Sequence, residues 1–369
     1  MYFFQKRCQH QVFNFQEKAV DIWKYFEQVA REELEPGQKR LVPVIGSGFN
    51  LQASGDGKNW VSLLKDIGIA LGLSDKDLGI TKLSQMSATS TWEFFITKVA
   101  RQANESASDV ETRLKKIVKD ELVNFEKKHK DLEFYRDFLE IGFRDIISLN
   151  FDRTLALQKK SKLVNADYAG DSGHFQNFKR HTVTLFRHME VDDSNKTRIW
   201  YPHGDTGKFA TIKLGIREYG IYIKSIEEAI RAYMKVWIEF LERHGFNFFY
   251  NRDLFNLEKY RHYWQLWSKE LLHHDELNWA WLLVSAPVVF LGCGLSSDEW
   301  PLLWTLHQRA RIFARLPGKD KEPVFLFWNT LSKSSKGMTE WLKKRPADVI
   351  MLPCEDWEKG WERVLKVLI

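Results

Sequence analysis

The sequence has few cysteines and no long apolar run, and each shortage excludes a class of protein. Its 369 residues include three cysteines, Cys8, Cys293 and Cys354, which lie far apart. This spacing excludes a disulfide scaffold and a zinc site built on paired CxxC motifs. Polar and small residues interrupt the longest uncharged stretch, 277–297, and the first eight residues lack the apolar core of a signal peptide. We therefore expect a cytoplasmic chain that does not span a membrane.

The excess of one charge is also small. Lys and Arg number 55 against 49 Asp and Glu, which gives a net charge of +6. This mild excess suits a partner that carries phosphates, and it does not distinguish a nucleotide from a nucleic acid. With 44% hydrophobic residues the chain can bury a substantial core, which excludes a disordered protein.

Short apolar segments alternate with segments of helical periodicity along the chain. This alternation predicts an α/β fold with a Rossmann-like, mainly parallel sheet flanked by helices. Strands are predicted at 41–45, 145–149, 287–291, 323–328 and 349–352, with shorter candidates at 182–186 and 199–201. Helices are predicted at about 16–33, 60–69, within 82–130, at 254–272 and at 357–368.

The pattern also predicts how the chain is divided. Residues 1–37 form an N-terminal helical extension that ends at Glu35-Pro36-Gly37, and residues 38–369 form the α/β domain. A helical insertion is expected at about 220–285. Its first helix is predicted to begin at a capping box formed by Ser225 and Glu228 and to end at Gly245.

Four polar or glycine-rich clusters follow strand candidates. In open parallel sheets, ligands bind at the carboxyl edge, where the loops after several strands converge. We therefore expect these clusters to form one site. They are Gly46-Ser47-Gly48-Phe49-Asn50, Asn150-Phe151-Asp152, His203-Gly204-Asp205 and Gly292-Cys293-Gly294-Leu295-Ser296.

The first and fourth clusters are glycine turns between a strand and a helix. Glycine lets the backbone approach a pyrophosphate closely, and the helix that follows offers free N–H groups. The first turn lacks the third glycine of GxGxxG, because Leu51 occupies that position, and a plain tight turn is the alternative. Cys293 is interpreted as a small residue that lines the pocket, since no sequence signature supports a nucleophile.

The second and third clusters supply groups for chemistry. Asn150 and Asp152 are two residues apart after a strand, so their side chains would share one side if the strand geometry continued. An Asx turn is the alternative. His203 lies in a turn at the expected rim, where an imidazole can serve as a general base, although most such histidines are only surface residues.

Two other features of the sequence have simpler structural explanations. The run His273-His274-Asp275-Glu276 contains metal-ligand residue types, but adjacent residues on a helix face different directions. The aromatic residues between 246 and 281 have helical spacing, which favours packing over base stacking. Neither feature predicts a metal or nucleic-acid site.

Taken in order, the four clusters resemble the sirtuin family, and more closely its bacterial sirtuin-like branch of NAD-consuming defence proteins. That family has a G-A-G-x-S turn, a T-x-N-x-D strand end, an H-G pair and a late G-T-S or G-Y-S-L-S-D turn. The similarity covers about residues 41–300, with spacings of 104, 53 and 89 residues between the four clusters. Gly57-Lys58-Asn59-Trp60 is similar to the branch's G-x-x-x-W. This chain departs from the pattern at Ser47, Asn50, Cys293 and Gly294.

The resemblance implies an NAD glycohydrolase with NAD as its substrate. It assigns catalysis to Asn150 and His203, and NAD binding to the glycine turns together with Asp152 and Gly204. Protein-deacylating sirtuins carry four zinc cysteines between the H-G and the late turn. This chain has no cysteine between His203 and Gly292, so no zinc is expected.

The resemblance further implies antiviral defence by NAD depletion, a homo-oligomer, and a separately encoded activator such as a HerA-like ATPase. Nucleic acid would be involved only indirectly. Two alternatives stay open. One is a sensor that binds NAD or ADP-ribose without cleaving it, and the other is a zinc-free NAD-dependent protein deacylase or ADP-ribosyltransferase.

Overall fold

The structure is a computed structural model, and it describes residues 21–57, 60–72, 87–164, 185, 187–192, 196–245, 263, 267, 277–293, 295, 299–313, 322–329 and 349–369. Several predicted features lie outside these ranges. Of the helix predicted at 254–272, only two residues are described. Of the strand candidate at 182–186, only one residue is described. The run at 273–276 also lies outside them.

Eight strands in the described part of the chain form one sheet, as the sequence pattern predicts. A separate hairpin precedes it, formed by β1 (Glu33–Glu35) and β2 (Gln38–Lys39). The sheet strands are β3 (Val42–Ile45), β4 (Asp145–Ser148), β5 (Ser161–Val164), β6 (His188–Val191), β7 (Arg198–Trp200), β8 (Val288–Leu291), β9 (Val324–Asn329) and β10 (Val349–Cys354).

The strand order in the sheet is β10-β9-β8-β3-β4-β7-β6-β5. The six strands from β10 to β7 are parallel, whereas β6 and β5 pair antiparallel at one side. The predicted α/β class with a mainly parallel sheet is therefore confirmed, and the arrangement is compatible with a Rossmann-like fold.

Helices cover both faces of the sheet, because alternate strand residues point to opposite sides. In the described residues the helices are α1 (Ile22–Ala30), α2 (Ser47–Ser54), α3 (Trp60–Ala70), α4 (Ala88–Ala103), α5 (Ala107–Lys128), α6 (Glu133–Glu140), α7 (Ile216–Arg243), α8 (Trp279–Ser285), α9 (Trp300–Ile312) and α10 (Trp357–Leu368). Val44 and Phe290 join a core with α7, α8 and α9, whereas Ile45 and Leu291 join a core with α1, α6 and α10. A third core lies among α3, α4 and α5.

The first helix of the predicted insertion begins earlier than the sequence pattern indicated. Helix α7 starts at Ile216, where the Glu218 carboxylate accepts from the amides of Leu214 (2.9 Å) and Gly215 (3.3 Å). Ser225 lies inside this helix, and its hydroxyl donates to the Ile221 carbonyl. The prediction that Ser225 and Glu228 form a capping box at the helix start was therefore wrong. The helix ends at Arg243, and Gly245 follows with a positive φ, as predicted.

The N-terminal helix also ends earlier than predicted, at Ala30, and Pro36 and Gly37 form the turn of the β1–β2 hairpin instead. Helix α1 packs on β9, where the rings of Phe26 and Phe325 lie 5.0 Å apart. The Arg363 guanidinium of α10 lies 4.1 Å from the Trp23 ring centroid.

Candidate functional site

The structure brings the four sequence clusters to one edge of the sheet. They follow β3, β4, β7 and β8, which are consecutive parallel neighbours in the order β8-β3-β4-β7. The carboxyl ends of parallel neighbours lie at the same edge, so the loops after these strands converge there. The candidate site is therefore the carboxyl edge around β3.

The first and fourth clusters interlock through their backbones. The N–H of Gly46 donates to the Leu291 carbonyl and that of Gly48 donates to the Gly292 carbonyl, both at 3.0 Å. Gly292 has a φ of +64°, and a Cβ at this position would lie 2.2 Å from the Phe49 backbone nitrogen. Only glycine fits such a close approach, which explains why glycines occur in both turns.

This interlock corrects one part of the sequence interpretation. The glycine turns are expected to bind the NAD diphosphate through free backbone N–H groups, but those of Gly46 and Gly48 are already bonded to the carbonyls of Leu291, the last residue of β8, and Gly292. Within the described hydrogen bonds, the Ser47 N–H is the amide of this turn that lacks an acceptor. Ser47 is also the first residue of α2, where the helix dipole favours an anion.

Two residues of these clusters contribute to the core rather than to the edge. The Phe49 side chain is fully buried, with its ring 4.7 Å from that of Phe138 and stacked 5.7 Å from that of Tyr135. Leu295 is buried in the core on the other face. The burial of Phe49 and Leu295 anchors the two glycine turns to the core. The other predicted residues of the fourth cluster, Gly294 and Ser296, lie outside the described residues.

Cys293 has the surroundings of an inert thiol. Its Sγ donates to the Val44 carbonyl at 3.1 Å, and burial raises the pKa of the thiol well above its ordinary value. A raised pKa leaves little thiolate, which is the nucleophilic form. This environment fits the interpretation of Cys293 as a lining residue.

Asn150 and Asp152 both meet the side chain of Asn50. The strand ends at Ser148, yet Asn150 Nδ2 lies 3.1 Å from Asn50 Oδ1, and Asn50 Nδ2 lies 2.8 Å from Asp152 Oδ2. Asp152 also accepts from the Thr154 N–H at 3.1 Å, and burial raises its pKa. Asn50 and Asp152 are therefore buried behind Asn150, whereas Asn150 is partly exposed.

His203 is buried, and both of its ring nitrogens have partners. Nε2 lies 2.9 Å from the Glu299 carboxylate and Nδ1 lies 3.3 Å from the Tyr219 hydroxyl. A carboxylate can only accept, so the neutral imidazole carries its proton on Nε2 and accepts from Tyr219. The ring is 2% exposed, whereas the Glu299 side chain is 25% exposed.

The rest of the third cluster fixes the position of His203. The Gly204 N–H donates to the Tyr201 carbonyl at 3.0 Å and so closes the turn. Asp205 is buried and accepts from two nitrogens of the Arg187 guanidinium. A bidentate pair of this kind holds its loop rigidly.

Three side chains of this edge were not found by the sequence analysis: Glu299, Tyr219 and Tyr135. Glu299 directly precedes α9, and Pro301, the second residue of this helix, marks a helix start, so the position of Glu299 could have been inferred. Tyr219 and Tyr135 lie within helices α7 and α6 and carry no local signal.

The described residues contain no group of three or more His, Cys, Asp or Glu that could hold a metal ion. None of the helices in these ranges combines the length and the apolar composition that a membrane crossing requires. No family model matches the chain, and no curated protein matches it either. The functional argument therefore depends on the geometry of the carboxyl edge.

Proposed function

We propose that this protein is an NAD glycohydrolase, which cleaves the bond between nicotinamide and ribose and releases ADP-ribose. The main supporting observation is the convergence of Asn150, His203 and two interlocked glycine turns at the carboxyl edge of four adjacent parallel strands. That is the edge where α/β sheets bind nucleotides, and it combines an anion-binding helix start with a polar amide and an imidazole.

The reaction needs the protein to place a water molecule and to accept its proton. The bond between C1 of the ribose and the pyridinium nitrogen breaks with its electron pair going to nitrogen, so nicotinamide leaves as a neutral molecule. Water oxygen bonds to C1 and loses a proton. Asn150 would hold this water or the ribose hydroxyls, and His203 would take the proton.

The start of α2 is the place for the diphosphate. Ser47 offers an N–H without an acceptor among the described hydrogen bonds, a hydroxyl, and the positive end of the helix dipole. The glycines on either side of Ser47 let the Gly292 backbone pack against this turn, since a Cβ on Gly46 or Gly48 would lie 2.7 Å or 2.9 Å from Gly292 atoms. Gly292 and Cys293 would line the adenosine side, next to this turn.

The role of His203 depends on Glu299. An imidazole that accepts a proton becomes a cation, and a carboxylate 2.9 Å away would stabilise it. The same contact occupies Nε2, and Tyr219 occupies Nδ1, so His203 can take a proton only after the 3.3 Å contact with Tyr219 opens. This observation favours the second candidate, a sensor that binds NAD or ADP-ribose without cleaving it.

Nicotinamide release separates the two candidates. Purified protein is mixed with NAD, alone and with an acyl-lysine peptide, and products are separated by chromatography. For the glycohydrolase we expect nicotinamide and ADP-ribose without the peptide, and a loss of about 100-fold or more in Asn150→Ala and His203→Ala. Release that occurs only with the peptide would indicate a deacylase or an ADP-ribosyltransferase.

Binding measurements complete this test. Calorimetric binding of NAD without any release, in the wild type and in Glu299→Ala, would favour the sensor. A faster release in Glu299→Ala than in the wild type would show that the contact with Glu299 holds the site shut. A slower release would support the role of this carboxylate in stabilising the imidazolium.

We further propose that the enzyme acts in antiviral defence by depleting NAD, since free NAD hydrolysis would kill the host cell. It would then need to be kept inactive, and oligomerisation or a separate HerA-like ATPase would activate it. Mass measurement in solution and nicotinamide release with and without that ATPase test this regulation. A protein that is monomeric and equally active in both cases would contradict it.

A further inference from the structure

Asn50 is the centre of a buried hydrogen-bond network. It is 6% exposed and has three side-chain partners, two in the loop after β4 and one in α6. Its Nδ2 donates to Asp152 at 2.8 Å, whereas its Oδ1 accepts from the Tyr135 hydroxyl at 2.6 Å and from Asn150 Nδ2 at 3.1 Å. Both ends of the Asn50 amide are therefore engaged.

The direction of each bond follows from Asp152. An ionised carboxylate can only accept, so Asn50 must turn its nitrogen towards Asp152 and its oxygen towards the other two partners. The second Asp152 oxygen accepts from the Thr154 N–H at 3.1 Å. The Asn50 oxygen then requires a donor on Asn150, which fixes the Asn150 nitrogen on this side.

A second acceptor acts on Asn150 independently. The Gly46 backbone carbonyl lies 3.2 Å from Asn150 Nδ2, and a carbonyl can only accept. Both hydrogens of the Asn150 amide are therefore used by Gly46 and Asn50. Among the described residues, no group bonds the remaining Asn150 Oδ1, and this side chain is partly exposed at the carboxyl edge.

We propose that Asp152, Asn50 and Tyr135 orient the Asn150 amide so that it presents its carbonyl oxygen, and not its nitrogen, to the bound molecule. This inference rests on the proposed function. The ligand group at this point must donate a hydrogen bond, which a water molecule or a ribose hydroxyl does. A group that only accepts, such as an ether or a carbonyl oxygen, is disfavoured there. Asn50 and Asp152 are then positioning residues that act through Asn150.

Exchanging the side chains of Asp152 and Asn50 between their two positions tests the proposed orientation of the Asn150 amide. In Asp152→Asn the new amide cannot accept from both Asn50 and Thr154, so one bond fails. In Asn50→Asp two carboxylates face each other across the 2.8 Å contact. In the double variant, Asn at 152 accepts from Thr154 and donates to Asp at 50. That carboxylate then accepts from Tyr135 and Asn150, so every bond is restored.

We expect each single variant to lower the kcat of nicotinamide release by about 10- to 100-fold, with less change in KM, and the double variant to restore most of it. Asp145→Asn is a matched control, because it also neutralises a buried, fully bonded aspartate, but at the opposite edge. Its kcat per folded molecule should equal that of the wild type. Tyr135→Phe should lower kcat by less than the single exchanges.

Thermal unfolding separates this inference from the proposed function. If the wild type neither binds nor cleaves NAD, the glycohydrolase proposal fails, but the exchange should still raise the midpoint above that of both single variants. A double variant no more stable than the single variants would overturn the network, and so would a failure of the double variant to fold. Restored stability without restored kcat in an active enzyme would overturn the orienting role.

Discussion

The amino and carboxyl edges of the sheet are stabilised by different chemistry. At the amino edge, Arg198 donates two bonds of 2.8 Å to Asp145, which also accepts from the Trp200 indole at 2.8 Å. Arg309 is buried there and donates to the carbonyl that precedes β8, from Ala286, at 2.8 Å. Guanidinium groups thus bond buried oxygen atoms at this edge.

At the carboxyl edge, the buried network behind Asn150 surrounds its carboxylate with neutral groups, although Asp205 at the same edge pairs with Arg187. Asp152 is as buried as Asp145, yet among the described residues it accepts only from Asn50 and Thr154 and no cation bonds it. Among the described contacts, backbone bonds join the two glycine turns. Guanidinium groups bond oxygen acceptors at the amino edge, whereas the partly exposed Asn150 side chain keeps a carbonyl oxygen available at the carboxyl edge. The comparison supports our proposal that the ligand site lies at the carboxyl edge.

The largest expected effect comes from inserting one methyl group between the two glycine turns. In Gly292→Ala the new Cβ meets backbone atoms at 2.2 Å and the φ of +64° is strained, so the turns must separate. We expect a loss of about 3 kcal/mol or more in the free energy of unfolding, measured by urea denaturation, and a loss of NAD affinity measured by calorimetry.

Gly55→Ala provides the control for this change. Gly55 also has a positive φ, of +74°, but a Cβ there would have nothing within 4 Å. Its cost should be about 1 kcal/mol, from the backbone conformation alone, without a change in NAD affinity. Equal losses in both variants would show that the close contact between the turns has no energetic role.

Removing the charge of Asp145 at the amino edge should lower the stability of the fold without changing its activity. Asp145→Asn leaves the Arg198 guanidinium, which is 13% exposed, without its carboxylate. We expect the free energy of unfolding to fall by about 3 kcal/mol in urea denaturation, because a buried charge loses its partner. Nicotinamide release per folded molecule should stay unchanged. A clear fall in kcat would break the distinction between the two edges.

The pH dependence of stability should also distinguish Asp152 at the carboxyl edge from Asp145 at the amino edge, with a smaller effect. Burial raises the pKa of Asp152 above its ordinary value. Between these two values the folded state binds the extra proton, so the free energy of unfolding decreases as pH rises through that window. Asp152→Asn cannot titrate, and its denaturation series from about pH 4 to pH 8 should lack this decrease. Asp145→Asn should retain it.

Much of the fold could be predicted from the sequence, because buried strands and amphipathic helices leave periodic patterns. The strands at β3, β4, β8, β9 and β10 and the last helix lie where the pattern indicated them. The start of α7 was misplaced, because Ser225 and Glu228 imitate a capping box inside a helix whose actual cap is formed by backbone amides and Glu218.

The candidate site was predictable only in part. Glycine turns and polar strand ends identify loops at the carboxyl edge, so the convergence of the four clusters could be anticipated. The hydrogen bonds could not be, since Tyr135 and Glu299 reach Asn50 and His203 from elements that are distant in sequence. The bonded state of the Gly46 and Gly48 amides likewise depends on a strand almost 250 residues further along the chain.

That long separation has a consequence for how the protein is made. Gly46 and Gly48 leave the ribosome long before their acceptors at Leu291 and Gly292 and before the carboxylate of Glu299. Closing so large a loop requires the intervening chain to be present and is entropically costly. A nascent or truncated chain that stops before β8 therefore lacks a completed site, and we expect any activity of this edge to arise only after β8 and Glu299 have been made.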